Sequence, residues 1–88
     1  MKLLHNMTHT KTLKLTVSKV NELLFIGDVV LVSAPGADGE CTILPNHEPF
    51  ITLLKKGTIT AHDGVKAHVF QIEKGILETT GAQVTILV

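Results

Sequence analysis

The residues best suited to chemistry lie close together, in the segment between Gly36 and Phe50. This segment holds the chain's one cysteine, a histidine and two acids, which are Cys41, His47, Glu40 and Glu48. A cysteine and a histidine could ligate a metal ion or form a nucleophile and its base. Two carboxylates could act as general acid and general base. The segment therefore has to be tested for a metal site and for a catalytic site.

The cysteine and the histidine do not form a recognisable site. Zinc sites take four ligands, and Cys/His sites use paired short spacings, whereas this chain has a single cysteine. Cys41 alternates with Ile43 on one face of a predicted strand, which is typical of a buried structural residue. A Cys–His nucleophile also needs an orienting side chain, and Asn46 adjoins His47 only in the sequence. We predict no metal site and no catalytic site, and we place Cys41 in the core.

The other polar residues likewise give no indication of a catalytic site or a cofactor site. Nothing in the sequence desolvates Glu40 or Glu48, so neither carboxyl is marked as a general acid. Gly36 and Gly39 precede a strand and not a helix, so they do not form a phosphate loop. We therefore predict no cofactor and expect the histidines to be solvated. The five histidines are His5 and His9 near the N-terminus, His47, and His62 and His68 on the polar face of a predicted hairpin.

Composition narrows the class of protein further. A chain of 88 residues forms one domain and buries only roughly 60–65% of its unfolded surface. Its apolar content of 44% is high for so small a domain and hints at a protein–protein surface. Eight basic residues balance eight acidic ones, so there is no basic footprint for nucleic acid. The longest apolar runs are four residues, too short to span a membrane.

The pattern along the chain is that of short strands. Leu13 to Ser18 alternates apolar and polar residues with a period of two. Leu23–Ser33 is rich in β-branched residues, and Gly27 within it predicts a bend or a bulge. Turn residues run from Pro35 to Gly39, a short strand covers Glu40–Leu44, and further strands run from Pro49 to Leu54 and over Val84–Val88.

A hairpin around Asp63-Gly64 can be given a register. A three-residue loop, Asp63–Val65, pairs His62 with Lys66 and Thr60 with His68. Four apolar residues then share one face, namely Ile59, Ala61, Ala67 and Val69. This register separates the two faces better than a two-residue loop, and burial of one face is what specifies register.

About eight to ten short strands predict an all-β fold, an antiparallel flattened sandwich or barrel without a helix of reasonable length. We expect residues 1–12 to form a loose leader and residues 13–88 to form the domain. The predicted core consists of Leu13, Leu15, Val17, Cys41, Ile43, Ile59 and Val69.

Four segments in unbroken order carry a family resemblance: LKLTVS at 13–18, LFIGDVVLVSAPGADGE at 24–40, ILPNHEPFITLLKKG at 43–57 and GILETTGAQVTILV at 75–88. Together they resemble the N-terminal β-sandwich of the epsilon subunit of rotary F-type ATP synthases. Thr42, Asn46 and Lys74 stand where the family often has glycine. Because asparagine tolerates the left-handed backbone conformation, we expect Asn46 to preserve the turn. The family's C-terminal helical hairpin, which inhibits hydrolysis or binds ATP in some members, is absent from these 88 residues.

The resemblance implies a non-catalytic rotor subunit of the central stalk. Its partners would be the gamma subunit and the membrane c-ring, so that it would touch the membrane only through the complex, on the cytoplasmic face of a bacterial or other energy-transducing membrane. The resemblance places both turns of the opening segment near the ring. The implied ring contacts are Asp38, Glu40, Asn46 and His47, and the implied turn-shaping residues are Pro35, Gly36, Gly39, Pro45 and Pro49.

Several alternatives stay open from the sequence. The first is a free-standing small β-barrel that binds a ligand or scaffolds another complex, and an enzyme dependent on Cys41 ranks behind it. The sequence leaves open whether the coupling ion would be H⁺ or Na⁺, which face would cover gamma, and the oligomeric state of the isolated chain.

Overall fold

The computed structural model describes residues 11–46 and 48–88, and in this part of the chain it is built of nine strands. The strands are β1 (Leu13–Lys19), β2 (Glu22–Val29), β3 (Leu31–Gly36), β4 (Gly39–Ile43), β5 (Phe50–Leu54), β6 (Gly57–His62), β7 (Ala67–Ile72), β8 (Gly75–Thr79) and β9 (Gln83–Leu87). The predicted all-β fold is confirmed. Residues 1–10, which make up most of the predicted leader, and His47 lie outside the described residues.

All nine strands belong to one curled sheet. Its order is β2-β1-β9-β8-β5-β3-β6-β7, and β4 pairs with β3 outside this path. The curl brings the two ends of the sheet together, because Phe25 of β2 lies 4.7 Å from the ring of His68 and 5.9 Å from the ring of Phe70, both on β7. The sheet thus covers the core from two sides, as a flattened sandwich does.

One pair of strands departs from the expected antiparallel arrangement. β1 and β9 are parallel, with Leu15 opposite Val84 and Val17 opposite Ile86. The backbone N–H of Val88 donates to the carbonyl of Ser18 at 2.9 Å and extends this pairing. The strands nearest the two ends of the domain therefore lie side by side in the centre of one layer.

The two layers are joined through β3. The first half of β3 pairs with β6, and its last residue, Gly36, pairs with Leu54 of β5. Pro35 lies at the bend between them, where a residue without an N–H loses no ladder hydrogen bond. Its carbonyl accepts the N–H of Lys55 at 2.9 Å, and its ring lies against Gly57, where a Cβ would come within 2.9 Å.

The predicted bend or bulge does not lie at Gly27, because the irregularity in the pairing of β1 with β2 lies between Phe25 and Leu23. The segment 23–33 is divided at Val30, whose N–H donates to the carbonyl of His62 at 2.7 Å. Gly27 remains in register opposite Leu15. A Cβ at Gly27 would lie 3.2 Å from the ring of Phe25, so the glycine makes room for the ring that joins the two ends of the sheet.

The core occupies the inner face of the curled sheet and follows the period of two in each strand. Five of the seven predicted core residues are fully buried, and Cys41 is half-buried against the core. The buried apolar residues are Leu13, Leu15, Val17, Val29, Val32, Ala34, Ile43, Leu54, Ile59, Ala61, Ile72, Leu77, Val84 and Ile86.

The prediction that Val69 belongs to the core is wrong, since its side chain is 57% exposed. The β6–β7 loop has four residues, Asp63 to Lys66, so that His62 pairs with Ala67 and Ile59 pairs with Phe70. A shift of one residue turns every side chain of β7 to the other face. The observed register therefore buries Ile72 and part of Phe70, which are larger than Ala67 and Val69.

The hairpin register can be tested by truncating one residue on each face. Ile59→Ala should lower the free energy of unfolding by about 2–5 kcal/mol, because it leaves a cavity in the core. Val69→Ala should change it by no more than about 0.5 kcal/mol, since Val69 is exposed. Urea unfolding measures both values. Equal losses in the two variants would favour the three-residue loop.

Candidate functional site

The candidate contact residues lie in two turns that strand β4 separates. The first turn, Ala37–Asp38, joins β3 to β4 between the paired residues Gly36 and Gly39. We call the end of the sheet that carries this turn the hairpin end, and it also holds residues 55–56 and 73–74. The opposite end, here named the loop end, holds residues 44–46, 48–49, 63–66 and 80–82.

The first turn needs glycine on both sides. A Cβ at Gly36 would lie 2.6 Å from the carbonyl oxygen of Gly39, and Gly39 has a φ of 136°. Pro35 and Gly36 are the last two residues of β3, so the predicted turn segment is too long by these two residues, although Gly36 still shapes the turn. Their position reflects the pairing of Gly36 with Leu54, which keeps β3 extended up to the turn.

The acids at the hairpin end are presented differently from one another. Asp38 is exposed at the tip of the turn. Glu40 is also exposed, but its carboxylate accepts a hydrogen bond from the hydroxyl of Ser33. Ser33 and Glu40 occupy the outer face of the β3–β4 pair, since Ala34 and Cys41 occupy the inner one. Glu40 is thus held in a defined orientation that a partner could meet.

Cys41 is not a reactive thiol in this setting. Its Sγ donates to the carbonyl of Ala34 at 3.5 Å. Burial, and secondarily the negative charge of Glu40, raises the pKa of the Cys41 thiol above its usual value. A raised pKa lowers the fraction of thiolate, which is the nucleophilic form. The arrangement suits a structural residue.

The second turn lies at the loop end, anchored to the β8–β9 turn. Asn46 has a φ of 69°, as the sequence predicts for a residue standing in place of glycine. Its N–H donates to the carbonyl of Gly81 at 2.8 Å. Pro45 is half-buried in this turn, and Pro49 is exposed directly before β5.

The two turns cannot form one compact site. Phe50, next to the second turn, pairs with Thr79, whereas Leu54, at the other end of β5, pairs with Gly36 beside the first turn. Four residues of extended strand span about 13 Å. Asp38 and Glu40 are therefore separated from Asn46, and the expectation that both turns shape the same end of the sheet is wrong.

A third cluster at the loop end is built around Asp63. One oxygen of its carboxylate accepts the N–H groups of Val65 and Lys66, each at 2.8 Å, and the other lies 2.9 Å from Nε2 of His68. These hydrogen bonds, led by that from Lys66, hold the pKa of the Asp63 carboxyl well below its usual range. His68 faces inward against Phe25 and is half-buried, which corrects its predicted position on the polar face.

The hydrogen bonds between Asp63, His68 and the backbone stabilise the β6–β7 turn. Among the residues that the structure describes, no group of three or more His, Cys, Asp or Glu side chains could hold a metal ion. Nor does this part of the chain contain a helix of the length and apolar character required to cross a membrane.

An apolar outer surface on β5, β8 and β9 was not predicted. Its exposed residues are Ile51, Leu53, Ile76 and Leu87. A signal for it exists in the sequence, since Leu53-Leu54 and Ile76-Leu77 are adjacent apolar pairs that place apolar side chains on both faces of a strand. High apolar content gave only a general hint of such a surface.

Comparison with known proteins gives a consistent result. Residues 12–88 match the family model described as ATP synthase, Delta/Epsilon chain, beta-sandwich domain. A protein of Caulobacter vibrioides named ATP synthase epsilon chain is 44% identical over 64 residues, which are 73% of this chain and 74% of that protein. One of Desulforamulus reducens with the same name is 35% identical over 77 residues, 88% of this chain but 58% of that protein.

Solved structures show the same fold. A chain of the Euglena gracilis mitochondrial ATP synthase (OSCP/F1/c-ring) aligns with a TM-score of 0.81 and 21% identity, over 88% of this chain and 50% of that one. A chain of the Tetrahymena thermophila mitochondrial ATP synthase central stalk and c-ring aligns with a TM-score of 0.73 and 11% identity, over 92% of this chain and 66% of that one. This chain thus spans between half and three-quarters of the length of these proteins.

The backbone of the second turn provides a test at Asn46. Asn46→Ala should destabilise the domain by about 1–2 kcal/mol, because alanine is disfavoured in the left-handed conformation. Asn46→Gly should be close to the native chain in thermal unfolding. Equal destabilisation by glycine and alanine would show that the side chain, and not the backbone conformation, matters here.

The hydrogen bonds that Asp63 accepts predict that the stability of the domain depends on pH. Because the folded-state pKa of Asp63 is lowered, its contribution is complete above the unfolded-state pKa of about 3.9 and is lost as the pH falls below it. Asp63→Asn should therefore lower the free energy of unfolding at pH 7 but produce a smaller difference at pH 3. Urea unfolding at both pH values measures this, with Asp28→Asn as the control. An unchanged difference at pH 3 would contradict it.

Proposed function

Because the chain belongs to the ATP synthase delta/epsilon β-sandwich family, we propose that it is a non-catalytic subunit of the central stalk of a rotary ATP synthase. In this role it links the gamma subunit to the membrane c-ring. It thereby helps to couple ion-driven rotation of the ring to ATP synthesis in the catalytic head. The family match over residues 12–88 is the observation that carries the proposal.

The construction of the domain supports a role in transmitting torque. A rotor part has to pass on force without deforming, and close-packed protein interiors have low compressibility. Here a single curled sheet encloses a continuous apolar core, and Phe25 joins its two ends. Two of the residues with reactive side chains have structural roles, since Asp63 accepts hydrogen bonds within the β6–β7 turn and Cys41 packs against the core.

The proposed rotor function uses the β-sandwich alone. The proposed role does not require an ATP-binding or inhibitory helical arm. The fraction of each relative that aligns with this chain differs. The match covers 74% of the Caulobacter vibrioides protein but only 58% of the Desulforamulus reducens protein. The subunit would lie peripherally at the cytoplasmic face of the membrane, held there by the complex.

The hairpin end is the proposed contact with the ring. Asp38 is exposed at the tip of the turn, and Glu40, the second residue of β4, accepts a hydrogen bond from Ser33, so both carboxylates belong to the same end of the β3–β4 hairpin. Asn46 lies in the second turn, at the other end of β4. Asn46 and its neighbour in the sequence, His47, are proposed as further contacts, which requires that β4 lie lengthwise along the ring.

Charge-neutral variants test which turn meets the ring. Asp38→Asn combined with Glu40→Gln keeps the side-chain size and should weaken association with the ring about fivefold or more, since contact residues of this kind contribute about 1 kcal/mol or more. Binding should be measured with purified ring in detergent, beside Asp28→Asn as the control. Asn46→Ser combined with His47→Ala tests the second turn.

Each outcome has a clear meaning. Weakening by the first pair alone indicates an end-on contact, and weakening by both pairs indicates a lengthwise one. If neither pair alters binding to the ring, these residues are not the contact. If the unaltered chain co-purifies with neither gamma nor the ring when all subunits are expressed together, the proposed function itself is wrong.

A further inference from the structure

The outer face of the β3–β4 pair places a short serine beside a long glutamate. Ser33 lies opposite Thr42, and Glu40 lies opposite Pro35, two residues nearer to the turn. Ser33 and Glu40 are therefore diagonal neighbours on adjacent strands, at a separation that a long side chain can cross. The hydroxyl of Ser33 donates a hydrogen bond to Oε2 of Glu40. The carboxylate is thus drawn back along the two strands, away from the exposed tip of the hairpin.

Ser33 is the better fixed of the two residues. It lies in the interior of the sheet, between Thr60 of β6 and Thr42 of β4, and it is half-buried. Its side chain is short and has little rotational freedom. Glu40 is exposed and lies on β4, which pairs only with β3. The serine therefore presents its hydroxyl from a fixed point, and the hydrogen bond orients the glutamate.

The Glu40 carboxylate keeps its capacity to bind a partner. Ser33 donates to Oε2 alone, and an ionised carboxylate can accept further hydrogen bonds on both oxygens. Within the described residues, Glu40 makes no ion pair. Its negative charge is therefore oriented by this part of the chain but is not neutralised by it.

A side chain that is oriented before binding loses less freedom when it binds. Glutamate is among the side chains with the most rotamer freedom to lose. Immobilising such a side chain at an interface opposes association, and a conformation that is fixed beforehand removes part of this cost. The hydrogen bond from Ser33 can therefore raise the affinity of a contact that only Glu40 makes.

We propose that Ser33 is a positioning residue for the ring contact, because its hydroxyl holds the Glu40 carboxylate in the orientation that binds the ring. The inference rests on the proposed function, in which Glu40 meets the ring. It adds a residue that acts through Glu40 and does not itself have to touch the ring. The group of the ring that meets Glu40 has to be a hydrogen-bond donor, since an ionised carboxylate only accepts.

The first measurement is binding of variants of the full 88-residue chain to purified ring in detergent. Ser33→Ala should weaken binding about three- to tenfold, because the freed Glu40 side chain then has to be ordered on association. Ser33→Thr keeps the hydroxyl and should bind like the unaltered chain. Ser18→Ala makes the same change on the outer face of β1 and should leave binding unchanged. Circular dichroism establishes that each variant is folded.

A double-mutant cycle distinguishes positioning from a general effect on the domain. In a chain that already carries Glu40→Ala, the serine has no carboxylate to orient. Ser33→Ala should then cause no further loss of binding. An equal loss with and without Glu40 would show that Ser33 acts independently of the carboxylate, and it would overturn the inference.

The orientation of Glu40 can also be measured without the ring. Three-bond couplings between Hα and Hβ of Glu40 report whether its χ1 torsion occupies one rotamer or averages over several. NMR of the isolated chain should show one rotamer in the unaltered chain and in Ser33→Thr, and averaging in Ser33→Ala. The same couplings in all three chains would show that Ser33 does not position Glu40.

These results separate the inference from the proposed function. If the unaltered chain binds neither gamma nor the ring, the proposed function is wrong, and Ser33 has no role in ring binding. If the unaltered chain binds the ring and Ser33→Ala binds equally well, the inference is wrong although the function stands. Loss of binding in Ser33→Ala, together with its absence in Ser33→Thr, supports both.

Discussion

The fold depends on the bend at which one sheet becomes two layers. β3 pairs with β6 through its first half and with β5 at Gly36, and Pro35 lies between these pairings. Without an N–H, Pro35 loses no hydrogen bond where the partner strand turns away, and Gly57 leaves space for its ring. The position of this bend determines which strands face each other across the core.

The bend determines the position of the turn at Ala37–Asp38 and of the apolar outer surface on β5 and β8. Because Gly36 pairs with Leu54, the turn at Ala37–Asp38 is fixed at the end of the sheet where β5 ends and β8 begins. Since β5 and β8 pair in the same layer, their outward side chains Ile51, Leu53 and Ile76 form an exposed apolar surface. A rigid turn and an apolar face are thus held in a constant relation by backbone hydrogen bonds. That relation is what a coupling part between two larger partners requires.

Much of this architecture could be predicted from the sequence. The period-2 alternation identified the inward residues Leu13, Leu15 and Val17, and the glycines and prolines located most of the turns. The left-handed conformation of Asn46 followed from its place in a family motif that often has glycine there. The family itself could be predicted because its motifs extend over most of the chain in unbroken order. Each of these features depends on local residue types and spacing.

The register of β7 could not be predicted in the same way. A three-residue loop around Asp63 separates apolar from polar side chains more cleanly than the observed four-residue loop, which turns Val69 outward and His68 inward against Phe25. His68 can face inward because Asp63 accepts a hydrogen bond from its ring. That contact exists only after the four-residue turn has formed, so the preference for Phe70 and Ile72 over Val69 is a property of the assembled core.

What the sequence by itself determined is therefore the class of fold, the inward face of most strands and the family. The assembled sheet decided that Glu40 and Asn46 lie towards opposite ends of β4, and that Ile51, Leu53, Ile76 and Leu87 share one exposed face. The physical reason is that alternation specifies the two faces of a strand but not its neighbours or its offset from them. Those are set by long-range pairing, when the whole sheet closes over one core.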